Sequence, residues 1–188
     1  MIYFKEAVKI LLPQKTISHA KEFAEAVVQT IDYSDSNQSI RKKIEEDHFI
    51  SKLGEVAVAS HYKFMGCQVE GPDFTIYLGD YKSWESDLII DGIPLAVKTQ
   101  KRSSAKKYGL SWTFQSSGQR RDPILDKPDA WVIFVECNDE DDFSCILFPP
   151  KQMKDLILSE PKLKHLVGKK KVFYLNNENS KGNKSFEK

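Results

Sequence analysis

Apolar residues recur at helical spacing in two early stretches of the chain. Residues 17–31 carry an apolar stripe on one side, which predicts an amphipathic helix that packs on a core. Pro13 precedes this stretch, and Thr16 or Ser18 is a candidate N-cap because a hydroxyl can accept a hydrogen bond from the first turn. After a polar stretch, the pattern predicts a second, longer helix over residues 38–64.

The spacing changes to that of β-strands after residue 66. Apolar and polar residues alternate over residues 74–78, which predicts a strand. Residues 88–90 and 95–97 flank Asp91-Gly92 and predict a hairpin, because this dipeptide favours a tight turn. Residues 130–136 are an almost continuous apolar run, typical of a strand that is covered on both faces.

The remaining elements complete an α/β pattern. We predict strands at residues 112–114, 144–148 and 171–175, and a helix at residues 151–158. The order of elements predicts one α/β domain over residues 1–175, with a mixed central sheet flanked by helices and a helical region at residues 1–36. The polar tail, residues 176–188, is expected to be disordered.

Charge and cysteine content narrow the class of protein. Lys and Arg number 28 and Asp and Glu number 27, so the net charge of +1 indicates no particular partner. Cys67, Cys137 and Cys145 are isolated, which indicates neither a disulfide framework nor a zinc ribbon. Because no apolar run approaches about 18 residues and no signal-peptide pattern is present, we expect a cytoplasmic protein that does not span a membrane.

Ionisable residues stand beside the apolar segments of the predicted hairpin. Asp87 precedes the first segment and Lys98 follows the second, and a buried charge is costly unless a partner or a metal compensates it. Alternation places Lys98 and Gln100 on one face of the strand, and the turn folds Asp87 back toward them. Glu55, next to the small Gly54 on the preceding helix, is a further acidic candidate.

This set of residues suits hydrolysis of a phosphodiester with the help of Mg²⁺. Mg²⁺ is usually held by one or two carboxylates, with water and phosphate oxygens completing its shell. The metal lowers the pKa of a bound water, and a lysine stabilises developing negative charge. The sequence has no HExxH, Ser-His-Asp or P-loop pattern, so it indicates neither a competing hydrolytic motif nor an organic cofactor.

Gly54-Glu55 on a helix, Asp87 at the start of a hairpin and Val97-Lys98 on its second strand resemble the motif of the PD-(D/E)xK nuclease superfamily. The resemblance covers residues 44–136 and implies a restriction-endonuclease-like αβββαβ core, with an added N-terminal helix and a C-terminal strand, helix and strand. It also implies a Mg²⁺-dependent nuclease acting on DNA. Asp87 and Glu55 would bind the metal, Val97 would offer its backbone carbonyl, Lys98 would be the motif lysine, and Gln100 would assist.

One position departs from the family pattern. The motif acid falls on Ala96, whose methyl group binds no metal. Either the acid has moved, with Glu55 as the first supplier and Glu70, Asp73 or Glu85 after it, or the site is inactive. Ala96 therefore separates a working nuclease from a silent one.

A basic segment follows the predicted catalytic strand and is suited to phosphate contacts. The residues expected to contact DNA are Lys101, Arg102, Lys106, Lys107, Gln119, Arg120 and Arg121. A solvated surface would show the same run of cations. In that case Asp87 and Lys98 would form a surface ion pair without function, and Gln100 would only satisfy backbone groups.

These features together predict a metal-dependent DNA endonuclease, in the setting of a type II restriction enzyme or a related defence or phage nuclease. Cleavage of both strands at a palindrome calls for a homodimer. Two alternatives stay open. One is a non-catalytic DNA-binding module on the same fold, motivated by Ala96, and the other is a repair or junction-resolving nuclease that uses the same residues.

Overall fold

Helices and strands alternate in the computed structural model, which describes residues 4–30, 40–77, 86–118 and 121–175. The helices within these ranges are α1 (Gln14–Val27), α2 (Arg41–Phe64) and α3 (Arg102–Tyr108). The strands are β1 (Val8–Ile10), β2 (Val69–Glu70), β3 (Leu88–Ile90), β4 (Ile93–Lys101), β5 (Ser111–Gln115), β6 (Trp131–Cys137), β7 (Cys145–Leu147), β8 (Lys151–Gln152), β9 (Leu158–Ser159) and β10 (Lys170–Tyr174). The chain is thus of the α/β class.

Both long helices form where the apolar spacing predicts them. α1 begins directly after Pro13, earlier than predicted, and the candidate caps Thr16 and Ser18 are wrong because both lie inside the helix. α2 ends at Phe64, as predicted. Residue 31, the polar stretch after it and the predicted start of α2 at residue 38 lie outside the described residues.

The larger sheet holds the predicted hairpin near its centre. Its strands follow the order β1-β7-β6-β4-β3-β2, with β8 also paired to β6, and only the pairing of β4 with β6 is parallel among the strands described. The turn between β3 and β4 has positive φ at Asp91 (49°) and at Gly92 (78°). Two such residues match the twist of a tight hairpin, so the predicted Asp-Gly turn is confirmed.

Other layers cover both faces of this sheet. α2 packs on one face in an apolar cluster that includes Leu53, Val97 and Ile133. A smaller sheet, of order β5-β10-β9, covers the other face, where Trp112 of β5 packs on Phe134 of β6. β6 is therefore enclosed from both sides, as its unbroken apolar sequence predicts.

Two predicted elements are wrong. Residues 74–77 form no strand, and Phe74 instead stacks on His19 of α1 with 4.2 Å between the ring centroids; residue 78 lies outside the described residues. Residues 151–158 form no α-helix but β8, a 3₁₀ turn at Met153–Asp155 and the start of β9. The reason is packing, because Lys151 pairs with Val132 of β6 and Met153 enters the apolar cluster between the sheets.

The strands predicted near residues 112–114, 144–148 and 171–175 form as β5, β7 and β10. β5 and β10 belong to the smaller sheet, which the sequence pattern does not separate from the larger one. The predicted tail at residues 176–188 lies outside the described residues. Among the helices of the described ranges, none has the length and apolar character needed to cross a membrane.

Candidate metal and phosphate site

The paired part of β3 and β4 ends just before Asp87, whose carboxylate contacts the backbone of Val97. Their ladder ends with the pair Leu88 and Leu95, and beyond it the N–H of Val97 donates to Oδ2 of Asp87 at 2.7 Å. The carboxylate takes the place that a backbone carbonyl of β3 would hold in a longer ladder. Because the N–H and C=O of one residue point to the same side of a strand, the carbonyl of Val97 lies on the Asp87 side as well. The structure thus brings two predicted oxygen donors to one edge.

Lys98 extends from the next position of β4, on the face toward the smaller sheet. Its Nζ lies 2.5 Å from Oδ2 of Asp122 and 5.1 Å from the ring centroid of Phe114. About a quarter of the Lys98 side chain (26 %) and less of the Asp122 side chain (18 %) is exposed. Because water reaches this pair only in part, the carboxylate fixes the position of the ammonium group.

Asp122 is the residue of this site that sequence reasoning missed. It precedes a 3₁₀ turn (Pro123–Asp126), where its Oδ1 accepts from the N–H of Ile124 at 3.3 Å. An aspartate directly before a proline is a recognisable signal for such a turn. The sequence does not show that a residue 24 positions away returns to Lys98.

Gln100 lies on the Lys98 face of β4, and its amide bonds to backbone groups. Its Oε1 accepts from the N–H of Ser111 at 3.0 Å, and its Nε2 donates to the carbonyl of Gly109 at 3.1 Å. These bonds join β4 to the start of β5. The geometry therefore suits Gln100 to a positioning role.

Glu55 forms a buried ion pair within α2. Its Oε2 lies 2.5 Å from Nζ of Lys52, about one helical turn away. Lys52 also donates to the carbonyl of Asp73 at 2.8 Å and lies over the ring of Phe23 at 4.8 Å. The ammonium of Lys52 thus compensates the charge of Glu55, which a buried carboxylate requires.

The sheet separates Glu55 from Lys98. Gly54 of α2 packs against Thr99 of β4, and Lys98 points to the opposite face by alternation. Glu55 therefore lies on the helix that covers one face, and Lys98 lies on the other face. Asp87, which accepts from an in-plane N–H, lies at the edge between them.

Ala96 lies on the Lys98 face and packs against the apolar cluster between the two sheets. That cluster includes Trp112, Phe114 and Ile124. A carboxylate at this position would be placed among apolar side chains. This environment explains why a small apolar residue stands where the resemblance expects an acid.

The other acids considered in place of Ala96 have their own surroundings. The carboxylate of Asp73 accepts from the N–H of Thr75 at 2.8 Å and from the hydroxyl of Tyr77 at 2.6 Å. Hydrogen bonding to Thr75, followed by that to Tyr77, lowers the pKa of Asp73. Glu70 is an exposed residue of β2, and Glu85 lies outside the described residues.

Most of the described cations expected to contact DNA pair with acids. Lys101 lies 2.8 Å from Glu46 and 3.1 Å from Asp47, Arg102 lies 3.2 Å from Glu136, Lys106 pairs with Glu140, and Arg121 pairs with Asp126. Lys107 lies over the ring of Tyr108 at 5.1 Å. Gln119 and Arg120 lie outside the described residues. A phosphate would therefore compete with carboxylates for several of these cations.

A cavity of about 690 Å³ opens beside the C-terminal part of β4. Its walls come from α2, β4, α3, β5 and the segment that leads to β10. Of the predicted site residues, Lys98, Gln100, Lys101 and Lys107 line it. The cavity thus connects Lys98 with the basic helix α3.

Within the described ranges, no three or more His, Cys, Asp or Glu side chains come together as a metal-binding group. The carboxylate of Asp87 and the carbonyl of Val97 still fit Mg²⁺, which takes few protein ligands and keeps several waters. Comparison of the chain with family models, with curated proteins and with solved structures finds no match in any of the three.

Proposed function

We propose that this protein is a DNA endonuclease that uses Mg²⁺, with its site at the edge where β3 and β4 separate. The observation that carries the proposal is the hydrogen bond from the N–H of Val97 to the carboxylate of Asp87. It holds the carboxylate of Asp87 beside the backbone of Val97, the residue that precedes Lys98 and that carries the carbonyl oxygen. Two hard oxygen donors beside an ammonium group are suited to the activation of water next to a phosphodiester.

The arrangement of elements supports the same proposal. α2 is followed by the antiparallel strands β2, β3 and β4, then by α3 and, after β5, by β6, which pairs parallel to β4. This order agrees with the αβββαβ core that the resemblance implies. β5 is an addition that belongs to the smaller sheet.

Each residue has a role in this proposal. Asp87 and the carbonyl of Val97 would hold Mg²⁺, whereas Glu55 pairs with Lys52 on the α2 face of the sheet and would not belong to the metal's ligand set. When bound, Mg²⁺ lowers the pKa of a water and offsets phosphate charge. Lys98 donates to a phosphate oxygen and stabilises the charge that develops in the transition state. Asp122 positions the ammonium group of Lys98, and Gln100 positions β5 against β4.

The basic residues on and after β4 would hold the DNA backbone. Lys101, Arg102, Lys106, Lys107 and Arg121 are the described members of this set. Cleavage of both strands at a symmetric site would use two copies of the chain, so we propose a homodimer in a restriction or defence setting.

One observation favours a second candidate function. Ala96 packs in an apolar cluster, and the carboxylate against Lys98 comes from a different segment of the chain. A protein that binds DNA on this fold without cleaving it would tolerate both features. This candidate differs from the first in one measurable property, which is Mg²⁺-dependent cleavage.

The test is incubation of the full chain with supercoiled and with branched DNA, with Mg²⁺ or with a chelator. Cleavage that requires Mg²⁺ is the expected result, and a preference for branched DNA would favour a junction-resolving enzyme. Asp87→Asn and Lys98→Met should each lower the cleavage rate by about 100-fold or more, because each removes a group that stabilises the transition state.

Lys154→Met is the matched control, since Lys154 pairs with Asp129 away from this edge. Its cleavage rate should equal that of the original chain. DNA binding without any nicking would replace the nuclease proposal with the second candidate. Cleavage that survives both Asp87→Asn and Lys98→Met would place the active site elsewhere.

A further inference from the structure

The cavity beside β4 is lined by two chemically different sets of residues. Lysines from several elements form one set, and they are Lys43, Lys98, Lys101, Lys107 and Lys162. Asp47 is the acid among the lining residues. The lining therefore carries an excess of positive charge although the chain as a whole is almost neutral.

Two lysines of the lining act on a further lysine that does not itself line the cavity. Burial lowers the pKa of Lys170, and the charges of Lys98 and Lys43 act in the same direction, against that of Asp47. Lys98 and Lys101 each keep an acid partner, which offsets part of this repulsion. An anion in the cavity would offset more of it, because opposite charges interact strongly where water is partly excluded.

The second set, here called the apolar side of the cavity, is apolar and aromatic. It consists of Pro161, Leu163, Leu166, Val172 and Tyr174. Tyr108 lines the same cavity with 39 % of its surface exposed, and Lys107 lies over its ring. Nζ of Lys162 lies 4.8 Å from the ring centroid of Tyr174, so a charged and an aromatic group of the lining are in contact.

We infer that this cavity binds one unpaired nucleotide, with its phosphate on the lysines and its base against the apolar and aromatic side. A nucleotide combines an anionic and an apolar part in the way that the cavity does. The volume of about 690 Å³ falls in the range of about 300–1,000 Å³ typical of small-ligand pockets. The nucleotide is either free or the unpaired end of a strand.

This inference rests on the proposed function for its link to DNA and adds a substrate class to it. A duplex does not fit into a pocket of this size, so only an unpaired or extruded nucleotide can enter. Because Lys98 lines the cavity, a nucleotide held there has its phosphate close to the proposed site. The protein should therefore prefer DNA with a single-stranded end to a blunt duplex.

The experiment measures binding to the full chain by calorimetry, in the presence of a chelator so that no cleavage occurs. The probes are thymidine 5′-monophosphate, thymidine and inorganic phosphate. The monophosphate should bind at least about tenfold more tightly than either fragment, since it uses both sides of the cavity. Equal binding of inorganic phosphate would overturn the role of the apolar side, and no binding of the monophosphate would overturn the site.

Lys162→Ala should weaken binding of thymidine 5′-monophosphate by about tenfold, because a charge-assisted hydrogen bond to phosphate is lost. Lys164→Ala removes the same charge two residues away, from an exposed lysine that does not line the cavity, and should leave binding unchanged. An equal loss in both variants would mean that net charge, and not this cavity, attracts the nucleotide.

A final binding experiment tests whether the ligand is a free nucleotide or the unpaired end of a DNA strand. Labelled DNA with a single-stranded tail should bind more tightly than a blunt duplex of the same length, and Lys162→Ala should remove the difference. Binding of the monophosphate without that preference would restrict the site to free nucleotides. If the nucleotide binds but no DNA is cleaved, the nuclease proposal fails and the nucleotide site stands. If DNA is cleaved but no nucleotide binds, the nucleotide site fails and the nuclease proposal stands.

Discussion

Alanine at position 96 has a structural reason. Its side chain is partly buried and packs against the apolar cluster between the two sheets. A longer acidic side chain at this position would bring a charge to that cluster. The carboxylate of Asp122 reaches the same face from another segment and contacts Lys98 there.

Ala96→Glu should therefore destabilise the protein instead of improving its site. Placing a carboxylate against this apolar cluster, where Asp122 already occupies the ammonium group of Lys98, should lower the free energy of unfolding by about 1–3 kcal/mol. Urea unfolding followed by circular dichroism measures this loss. Ala96→Gln, of similar shape but uncharged, separates the cost of size from that of charge. An Ala96→Glu protein of unchanged stability and raised Mg²⁺-dependent cleavage would show that the position accepts the motif acid.

The sequence predicts some contacts of the site better than others. The contact of Asp87 with Val97 follows from the hairpin, because the Asp91-Gly92 turn sets which residues face each other. The Lys52–Glu55 pair could have been found from helical spacing. The Lys98–Asp122 contact could not, because it depends on how a distant segment returns to the sheet.

At the scale of elements, α2 and β4 approach closely because of one small residue. A Cβ atom added to Gly54 would lie 1.9 Å from Oγ1 and 3.0 Å from Cβ of Thr99. The Oγ1 of Thr99 is buried and has no hydrogen-bond partner among the described residues. The distance between α2 and β4 is thus set by Gly54, which has no side chain, and by the methyl and hydroxyl groups of Thr99.

Gly54→Ala should lower the free energy of unfolding by about 1–3 kcal/mol, because the added methyl group forces the two elements apart. Thr99→Ala should cost little, since the hydroxyl it removes makes no described hydrogen bond. The double variant Gly54→Ala with Thr99→Ala should recover part of the loss, because two of the three close atoms are gone. Denaturant unfolding of the four proteins forms a double-mutant cycle, and strictly additive losses would contradict the proposed contact.

The two long helices and the hairpin were predicted correctly from local signals, whereas the structure of residues 151–158 and the division into two sheets depend on tertiary pairing and were not. α1, α2 and the hairpin carry a clear apolar period or a turn dipeptide. The segment at residues 151–158 has apolar residues that also suit a helix, but pairing of β8 with β6 holds it extended. Assignment of β5 and β10 to a second sheet likewise depends on contacts between distant segments.

The turn between β6 and β7 is held by a single carboxylate. Oδ1 of Asp142 accepts from the N–H of Ser144 at 2.9 Å and from Nδ2 of Asn138 at 2.8 Å, and Phe143 between them has a positive φ of 51°. The hydrogen bonding of Ser144, followed by that of Asn138, holds the pKa of Asp142 well below its usual value of 3.8. The ionised form is therefore favoured in the folded protein.

This shift makes the contribution of Asp142 depend on pH. Because the pKa is lower in the folded state, the contribution is present above about pH 4 and is lost as the pH falls below that value, where the unfolded chain takes up a proton first. Asp142→Asn should therefore be less stable than the original chain near neutral pH, and the difference should shrink at about pH 3. Urea midpoints at both pH values measure it. Asp141→Asn removes a charge from the same turn, and an identical pattern there would indicate a general charge effect instead.

At the scale of the whole molecule, the charge is nearly balanced and the basic residues near β4 are mostly paired with acids. Lys106 of α3 pairs with Glu140, which follows β6, and both are exposed to solvent. Such a pair contributes little to stability. Its larger effect would be on the binding of DNA, because the carboxylate competes with phosphate for the same ammonium group.

Glu140→Gln should therefore strengthen DNA binding and make it more sensitive to salt. A cation released from its carboxylate can neutralise one more phosphate, which steepens the dependence of log affinity on log salt by up to about 0.9. Fluorescence anisotropy over a series of salt concentrations, with a chelator to prevent cleavage, measures both quantities. Asp129→Asn makes the same change of charge at the exposed pair with Lys154, away from the proposed DNA surface. An equal effect of the two variants would reflect net charge alone, whereas an effect confined to Glu140→Gln would place α3 against the DNA backbone.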